Sequence, residues 1–152
     1  MTGFACFHRT FAIAAPLLVT IVSSMLMASL PANADDTELP IGLPGYWKAV
    51  MFRGEPISED IMSLLKIEDA GTVGGNGGCN RIFGPVVSDA GVLRIGPLSV
   101  TRKACQPKVL EQEQTFLRIL NETRDFKRLP GEKALLLLDS QGVEIARFVE
   151  VR

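Results

Sequence analysis

Hydrophobic residues follow two different spacings along the chain, and the spacings predict several strands and one helix. Short apolar runs bounded by Gly, Pro or Asp turn residues predict strands at residues 46–52, 64–68, 92–95, 125–129, 134–138 and 143–149. From Pro107 onward, apolar residues recur at helical spacing up to Leu120, and proline suits the first helical turn. Strands joined as hairpins around one helix predict an α+β domain with a small antiparallel sheet and one helix packed across it.

The first 34 residues have the order of a secretory signal peptide. Arg9 precedes an uncharged run over residues 11–30, and an A-x-A site ends at Ala34. This order predicts export with cleavage after Ala34, to the periplasm or to the outside. The alternative is an uncleaved membrane anchor, because the run is about long enough to span a bilayer. Pro16 within the run and the A-x-A site favour cleavage.

Cleavage after Ala34 would leave a chain of 118 residues with one domain. Arg9 is the only charged residue removed, so 15 basic and 17 acidic residues remain and the net charge is −2. We expect a leader at residues 35–44 and one domain at residues 45–152. This balance excludes the strongly basic composition of typical nucleic-acid-binding domains. A monomer is expected.

The same cleavage removes the only histidine, His8, which excludes most common catalytic and metal sites. Ser-His-Asp and Cys-His catalysis lack their imidazole base, and histidine-containing zinc sites lack a ligand. Two cysteines are too few for a four-cysteine site. We therefore predict no catalytic residue, cofactor or metal. A hydrolase that uses carboxylates alone is the remaining enzymatic alternative, but no spacing selects a pair.

Two cysteines remain in the exported chain, Cys79 and Cys105. In an oxidising compartment they predict a single disulfide. The alternative is a redox-active pair, but such pairs usually have C-x-x-C spacing. The separation of these cysteines therefore favours a structural bridge.

The glycine-rich residues 74–78 do not match a cofactor motif. No Lys-Ser or Lys-Thr follows, as a P-loop requires, and the G-x-G-x-x-G fingerprint fails at Asn80. The stretch is typical of a bulged strand at which one backbone approaches another closely.

Two groups of basic residues flank the helix, one near Lys103 and one near Lys127. They could receive an anionic partner, but interleaved acids, among them Glu113, favour a solvated face. Trp47 and Phe83 are interpreted as core or interface residues rather than as ligand-stacking groups.

Two linked motifs resemble the META domain family, in its HslJ-like form. Residues 77–84 read GGCNRIFG and resemble the family's G-G-C-N-x-[FI]-x-G, and residues 101–105 read TRKAC and resemble T-x-x-A-C. A helix follows with Glu113 and Phe116 in E-x-x-F spacing. The resemblance covers about residues 45–150. Lys103 and Pro85 depart from the usual pattern at positions that could affect a binding surface.

The resemblance implies a small antiparallel, partly barrel-like sheet with one helix across it, and no enzymatic activity. The family is linked to the bacterial envelope and to heat stress. We therefore expect a non-enzymatic module that binds an envelope protein in stress response or envelope assembly. The alternative is a carrier of a small apolar or acyl ligand, because the fold is similar to that of secretin pilot proteins. Its pocket would be lined by Phe83, Phe116, Leu117 and Leu120.

The motif residues that could contribute to binding are Gly78, Asn80, Arg81, Thr101 and Arg102. For Asn80 a structural role is favoured, because an asparagine side chain can cap backbone groups in a sharply bent segment.

Overall fold

The computed structural model describes residues 39–151, which form ten strands and one helix. The expected signal peptide, its cleavage site at Ala34 and residues 35–38 of the expected leader lie outside the described residues. The elements, in chain order, are β1 (Gly45–Phe52), β2 (Glu55–Pro56), β3 (Leu64–Glu68), β4 (Thr72–Asn76), β5 (Arg81–Asp89), β6 (Val92–Ile95), β7 (Ser99–Val100), α1 (Pro107–Glu122), β8 (Asp125–Leu129), β9 (Ala134–Leu138) and β10 (Glu144–Glu150). Within residues 39–151, no helix has both the length and the apolar character needed to cross a membrane.

The strands form one antiparallel sheet that curls without closing. Its order is β6-β5-β4-β3-β1-β10-β9-β8, with β2 added to β1 and β7 added to β5. At the two ends of this order, the N–H of Leu93 donates to the carbonyl of Arg124 at 2.7 Å, but β6 and β8 share no ladder. The predicted α+β class, an antiparallel sheet with one helix, is confirmed. The sheet resembles a barrel only in that it curls, because its two ends do not pair.

The core lies between the inner face of the sheet and α1. Phe116 on α1 is fully buried, and its ring centroid lies 5.8 Å from that of Phe52 and 6.2 Å from that of Phe148. Trp47 is also fully buried, and its indole N–H donates to the carbonyl of Leu43 at 3.0 Å. Burial of these large apolar side chains is the main term that stabilises the fold.

Strand β5 runs without a break through Gly84 and Pro85, the position at which the sequence departs from the usual family pattern. The N–H of Val86 donates to Gly71, beside β4. Successive backbone N–H groups of a strand point to opposite sides, so the nitrogen of Pro85 points away from β4. On that side β5 pairs with β7 before Pro85 and with β6 after it, so the missing donor breaks no ladder.

The two shortest strands, β2 and β7, were not predicted. Each has two residues, which is too short for an alternating pattern to identify. The helix begins at Pro107, as expected, and ends at Glu122, two residues after the end of the predicted apolar spacing.

Candidate functional site

The two motif segments meet at the carboxylate of Glu113, on the buried side of α1. This side chain is only 5% exposed. One of its oxygens accepts the backbone N–H groups of Cys79 at 3.0 Å and Asn80 at 2.5 Å, and the other accepts the side-chain amide of Asn80 at 2.7 Å. The expectation that Glu113 belongs to a solvated acidic face is wrong, because these donors take the place of water around the carboxylate.

Asn80 links Glu113 to the second motif segment. Its side-chain oxygen accepts the hydroxyl of Thr101 at 3.0 Å and the backbone N–H of Lys103 at 2.7 Å. The hydroxyl oxygen of Thr101 in turn accepts the N–H of Arg81 at 3.1 Å. Asn80 is 4% exposed, so its polar groups are occupied within the domain and do not face a partner.

A disulfide joins the same two segments. Cys79 and Cys105 are bonded, with their Cα atoms 6.2 Å apart, so the predicted disulfide is present. The bridge and the hydrogen bonds of Asn80 therefore restrain the same loop, which connects β7 to α1. We call Cys79, Asn80, Thr101, Cys105 and Glu113 the motif network.

Glycines before the bridge lie close to atoms of neighbouring segments or have a backbone conformation that favours glycine. A Cβ on Gly75 would lie 2.0 Å from the carbonyl oxygen of Leu64, and one on Gly77 would lie 2.7 Å from Cγ of Glu113. Gly78 has φ +132°, a conformation that favours glycine. The predicted close approach is therefore present, but β4 pairs with both neighbours in unbroken register, so the predicted bulge is not.

Alternation along β5 separates the predicted pocket residues onto two faces. Ile82 and Val86 are buried in the core, whereas Phe83 points outward and is 61% exposed. Phe116 and Leu120 are fully buried on the inner side of the sheet, and Leu117 packs partly buried against the same core. The structure therefore corrects the expectation of one pocket lined by Phe83 together with the helix residues, because adjacent strand positions face opposite sides.

Two shallow grooves lie beside the glycine-rich strand β4. The first has a volume of about 430 Å³ and is lined by Gly75, Arg81, Ile82, Phe83, Ser99, Val100 and Thr101. The second has a volume of about 210 Å³ and is lined by Tyr46, Leu64, Leu65, Lys66, Gly75, Asn76 and Val151. Because both include Gly75, they meet on β4, and we call the two together the outer groove.

The charged side chains that line the outer groove are cationic. Arg81 lines the first half and Lys66 the second, and among the described residues no aspartate or glutamate lines either half. Arg102 and Lys103 are exposed one and two residues beyond Thr101. Within residues 39–151, neither these two side chains nor Arg81 has a carboxylate partner within ion-pair distance.

Lys66 differs from the other cations because it has a local partner. Its ammonium group donates to Glu68 at 2.5 Å and lies 5.5 Å from the ring centroid of Tyr46. The hydrogen bond to Glu68 raises the pKa of Lys66, and the same bond, with a second from Thr72, lowers the pKa of Glu68.

The predicted motif residues therefore separate into two groups. Asn80 belongs to the buried motif network, and Gly78 lies beneath Ile61 and Val109. Arg81 and Thr101 line the outer groove, with Arg102 exposed beside it.

Sequence reasoning missed Tyr46, Leu64 and Lys66, which reach this surface only through the pairing of β1, β3 and β4. In the described part of the chain, no three potential metal ligands are grouped closely enough to hold an ion.

Solved structures with a similar fold have low sequence identity to this chain. The NMR structure of a protein from Burkholderia xenovorans matches with a TM-score of 0.57 and 20% identity, over 78% of this chain and 97% of that one. The crystal structure of a DUF4847 family protein from Bacteroides vulgatus matches with a TM-score of 0.51 and 18% identity, over 72% of this chain and 94% of that one. At such identities the likeness concerns the fold alone. No curated protein matches the chain significantly.

The family model for the META domain matches residues 41–152. The match includes both cysteine motifs, the glycine-rich strand and the helix that carries Glu113. It spans more than half of the chain, so this protein belongs to the META domain family.

Proposed function

We propose that the protein is an exported, non-enzymatic binding module of the bacterial envelope, which acts in stress response or envelope assembly through the outer groove. The observation that carries this proposal is the exposure of Phe83. A phenylalanine that is 61% exposed leaves most of a large apolar ring in water. It lies two residues from Arg81, which has no carboxylate partner within ion-pair distance in the described part of the chain. Exposed apolar groups rimmed by polar residues are typical of interaction surfaces.

The support beneath Phe83 favours recognition by a preformed surface. Asn80 and Arg81 lie just before Phe83 in the chain and are held by Glu113 and Thr101. Ser99 of β7 pairs with Phe83 itself. A surface that is rigid before binding loses little conformational entropy when a partner docks.

Two features support export. The order of charged, apolar and small residues over residues 1–34 is typical of a cleaved signal. The disulfide between Cys79 and Cys105 is typical of proteins that reach an oxidising compartment.

The packing of α1 disfavours the alternative of an internal ligand carrier. Phe116, Ile119 and Leu120 are fully buried and fill the space between helix and sheet. An acyl ligand would have to displace these side chains from a packed core, which costs stability. The binding surface is therefore placed on the outer face of the sheet in this proposal.

Chemical cross-linking in intact cells of the native host tests the proposed function. We expect the tagged protein to form discrete cross-linked adducts with another protein, and Phe83→Ala to reduce their yield. Val143→Ala is the matched control, because Val143 is also an exposed hydrophobic residue but lies outside the outer groove. Equal adduct yields in both variants, or an apolar small molecule retained in native mass spectra, would contradict the proposal.

Intact mass measurement tests the export part separately. The mature chain is expected to have the mass of 118 residues, reduced by the hydrogen loss that disulfide formation entails. A mass that includes residues 1–34 would indicate an uncleaved anchor.

A further inference from the structure

We propose that the partner presents an acidic, extended polypeptide segment that lies across the outer groove with an apolar side chain on Phe83. This inference rests on the proposed function and specifies the chemistry of the partner. Its basis is the combination of charge, shape and length of the groove on the outer face of the sheet.

The charge of the groove favours an acidic partner. Arg81 in its lining and the exposed Arg102 and Lys103 beside Thr101 have no carboxylate within ion-pair distance among residues 39–151. The other cation of the lining, Lys66, is paired with Glu68 and adds no uncompensated charge. The nearby Glu113 is buried and fully engaged by Cys79 and Asn80, so it does not offer a counter-charge at the surface. Since the expected mature chain is net negative, this local excess of positive charge is a feature of the groove and not of the whole surface.

The shape of the groove favours a polypeptide over a small molecule. Small-molecule sites are concave and enclose most of their ligand. Here the grooves are open, and their rims include Phe83 at 61% and Tyr46 at 51% exposure. A chain that lies flat on these rings can bury apolar area without an enclosed cavity.

The length of the groove corresponds to a short extended segment. It crosses β7, β5, β4, β3 and β1, because Ser99 and Val100 line one end and Tyr46 lines the other. Four steps between neighbouring strands span about 19 Å, a distance that about six extended residues cover. Gly74 and Gly75 present no side chain along this path, so a second backbone can pass close to β4.

The positions of the charged and apolar residues along the groove also specify how the partner segment is oriented. Acidic residues of the partner segment are placed toward Arg81, Arg102 and Lys103, at the end of the groove beside β7. One apolar residue is placed over Phe83, in the same half of the groove as Arg81, and further apolar residues are placed toward Leu64 and Val151, in the half beside β1.

Site-specific photo-cross-linking in living cells of the native host tests this inference. The probe is p-benzoylphenylalanine, introduced at position 83 and, as a control, at the exposed position of Val143. We expect position 83 to give a protein adduct whose cross-linked peptide is rich in Asp and Glu beside an apolar residue. Position 143 is expected to give no such adduct.

An adduct at position 83 through a neutral or basic segment overturns the inference but leaves the proposed function intact. An adduct with a lipid or small molecule, or no adduct, overturns both.

A charge reversal supplies the second measurement. Arg81→Glu changes an exposed side chain, and its backbone N–H can still donate to Thr101, so the fold is expected to persist. We expect the cross-link yield from position 83 to fall by at least about fivefold, because like charges oppose docking. Lys127→Glu, an equal charge change on exposed β8, is expected to leave the yield unchanged. Equal yields from Arg81→Glu and the unaltered protein, with unchanged thermal melts, would overturn the role assigned to charge.

Discussion

At the scale of single residues, Glu113 has the most demanding environment in the described part of the chain. Its carboxylate is buried and is surrounded by donors only: two backbone N–H groups and one side-chain amide. A carboxylate satisfies this arrangement because both of its oxygens accept hydrogen bonds. An amide cannot, since one of its two terminal atoms is a donor.

We therefore predict that Glu113→Gln destabilises the fold although the side chain keeps its size. The new amide N–H₂ would face the donors of Cys79 or Asn80, and the unpaired groups would cost about 2–3 kcal/mol. For a domain of this length, the expected decrease in melting temperature is roughly 10 °C. Glu111→Gln, on the exposed face of the same helix, is the control and should change the melt by less than about 2 °C. Equal melts for the two variants would show that Glu113 accepts no critical hydrogen bonds.

At the scale of elements, the glycines of β4 have different reasons for their identity. A Cβ on Gly75 would lie 2.0 Å from the carbonyl oxygen of Leu64, whereas a Cβ on Gly74 would meet nothing within 4 Å. The two residues are adjacent on β4, and both pair with β3 on one side and β5 on the other. They therefore form a matched pair for testing the close approach of β3 and β4.

Gly75→Ala is predicted to cost at least about 3 kcal/mol, because backbone atoms of β3 would have to move. Gly74→Ala is predicted to be neutral or slightly stabilising, since alanine restricts the unfolded chain at a position without a clash. Urea denaturation of the two variants measures the difference. Similar midpoints for both would contradict the close approach described for Gly75.

The pair formed by Lys66 and Glu68 on β3 makes a contribution to stability that depends on pH, and the pKa shifts give the direction of this dependence. The hydrogen bond from Lys66 lowers the pKa of Glu68 from its ordinary value of 4.5, and Thr72 adds to the effect. The stabilising contribution of Glu68 is therefore present above its unfolded pKa and is lost as the pH falls through the folded one. The pKa of Lys66 is raised from 10.5, so its contribution is present below that value and is lost as the pH rises through the folded pKa.

We predict that NMR titration of the Glu68 carboxyl carbon gives a pKa below 4.5, and that Lys66→Met moves this pKa upward. Lys127→Met should leave it unchanged, because Lys127 lies on a distant strand of the sheet order. An identical Glu68 pKa in all three proteins would refute the pairing.

At the scale of the whole molecule, two sets of restraints act on the loop before α1. The disulfide closes a segment with a sequence separation of 26, and Asn80 holds Thr101 and Lys103 within it. The bridge stabilises mainly by restricting the unfolded chain, whereas the hydrogen bonds act in the folded state. We therefore expect the folded state to keep the hydrogen bonds of Asn80 across the loop when the bridge is absent.

Replacement of Cys79 and Cys105 by alanine is predicted to lower the free energy of unfolding by about 3.5 kcal/mol, the chain-entropy value for a loop of this length. The expected protein stays folded, and its NMR spectrum retains cross-peaks between the side chains of Asn80 and Thr101. Chemical denaturation measures the loss in free energy, with reduced and oxidised wild-type protein as the control pair. A double variant as stable as the oxidised protein would contradict the contribution of the bridge.

Much of the fold follows from local pattern. The strands at residues 64–68, 92–95, 125–129 and 134–138 have the predicted bounds, and the helix starts at the predicted proline. Apolar runs and turn residues act over a few neighbouring positions, so these elements can be identified without knowledge of their partners. Strand β7 could not be identified in this way, because two residues carry no periodicity and their pairing with β5 is a long-range contact.

The candidate site follows partly from the sequence and partly from the tertiary structure. The sequence by itself determined the α+β class, the pairing of two cysteines and the motif residues. These features can be identified from the number, spacing and order of residues, without knowledge of which segments meet in space. Only the tertiary structure placed Phe83 outside, apart from Phe116 and Leu120, and Glu113 inside. It also brought Tyr46 and Lys66 to the groove that contains Arg81. The physical reason is that the face of a strand and the neighbours of a side chain are set by register between distant segments, which local spacing does not encode.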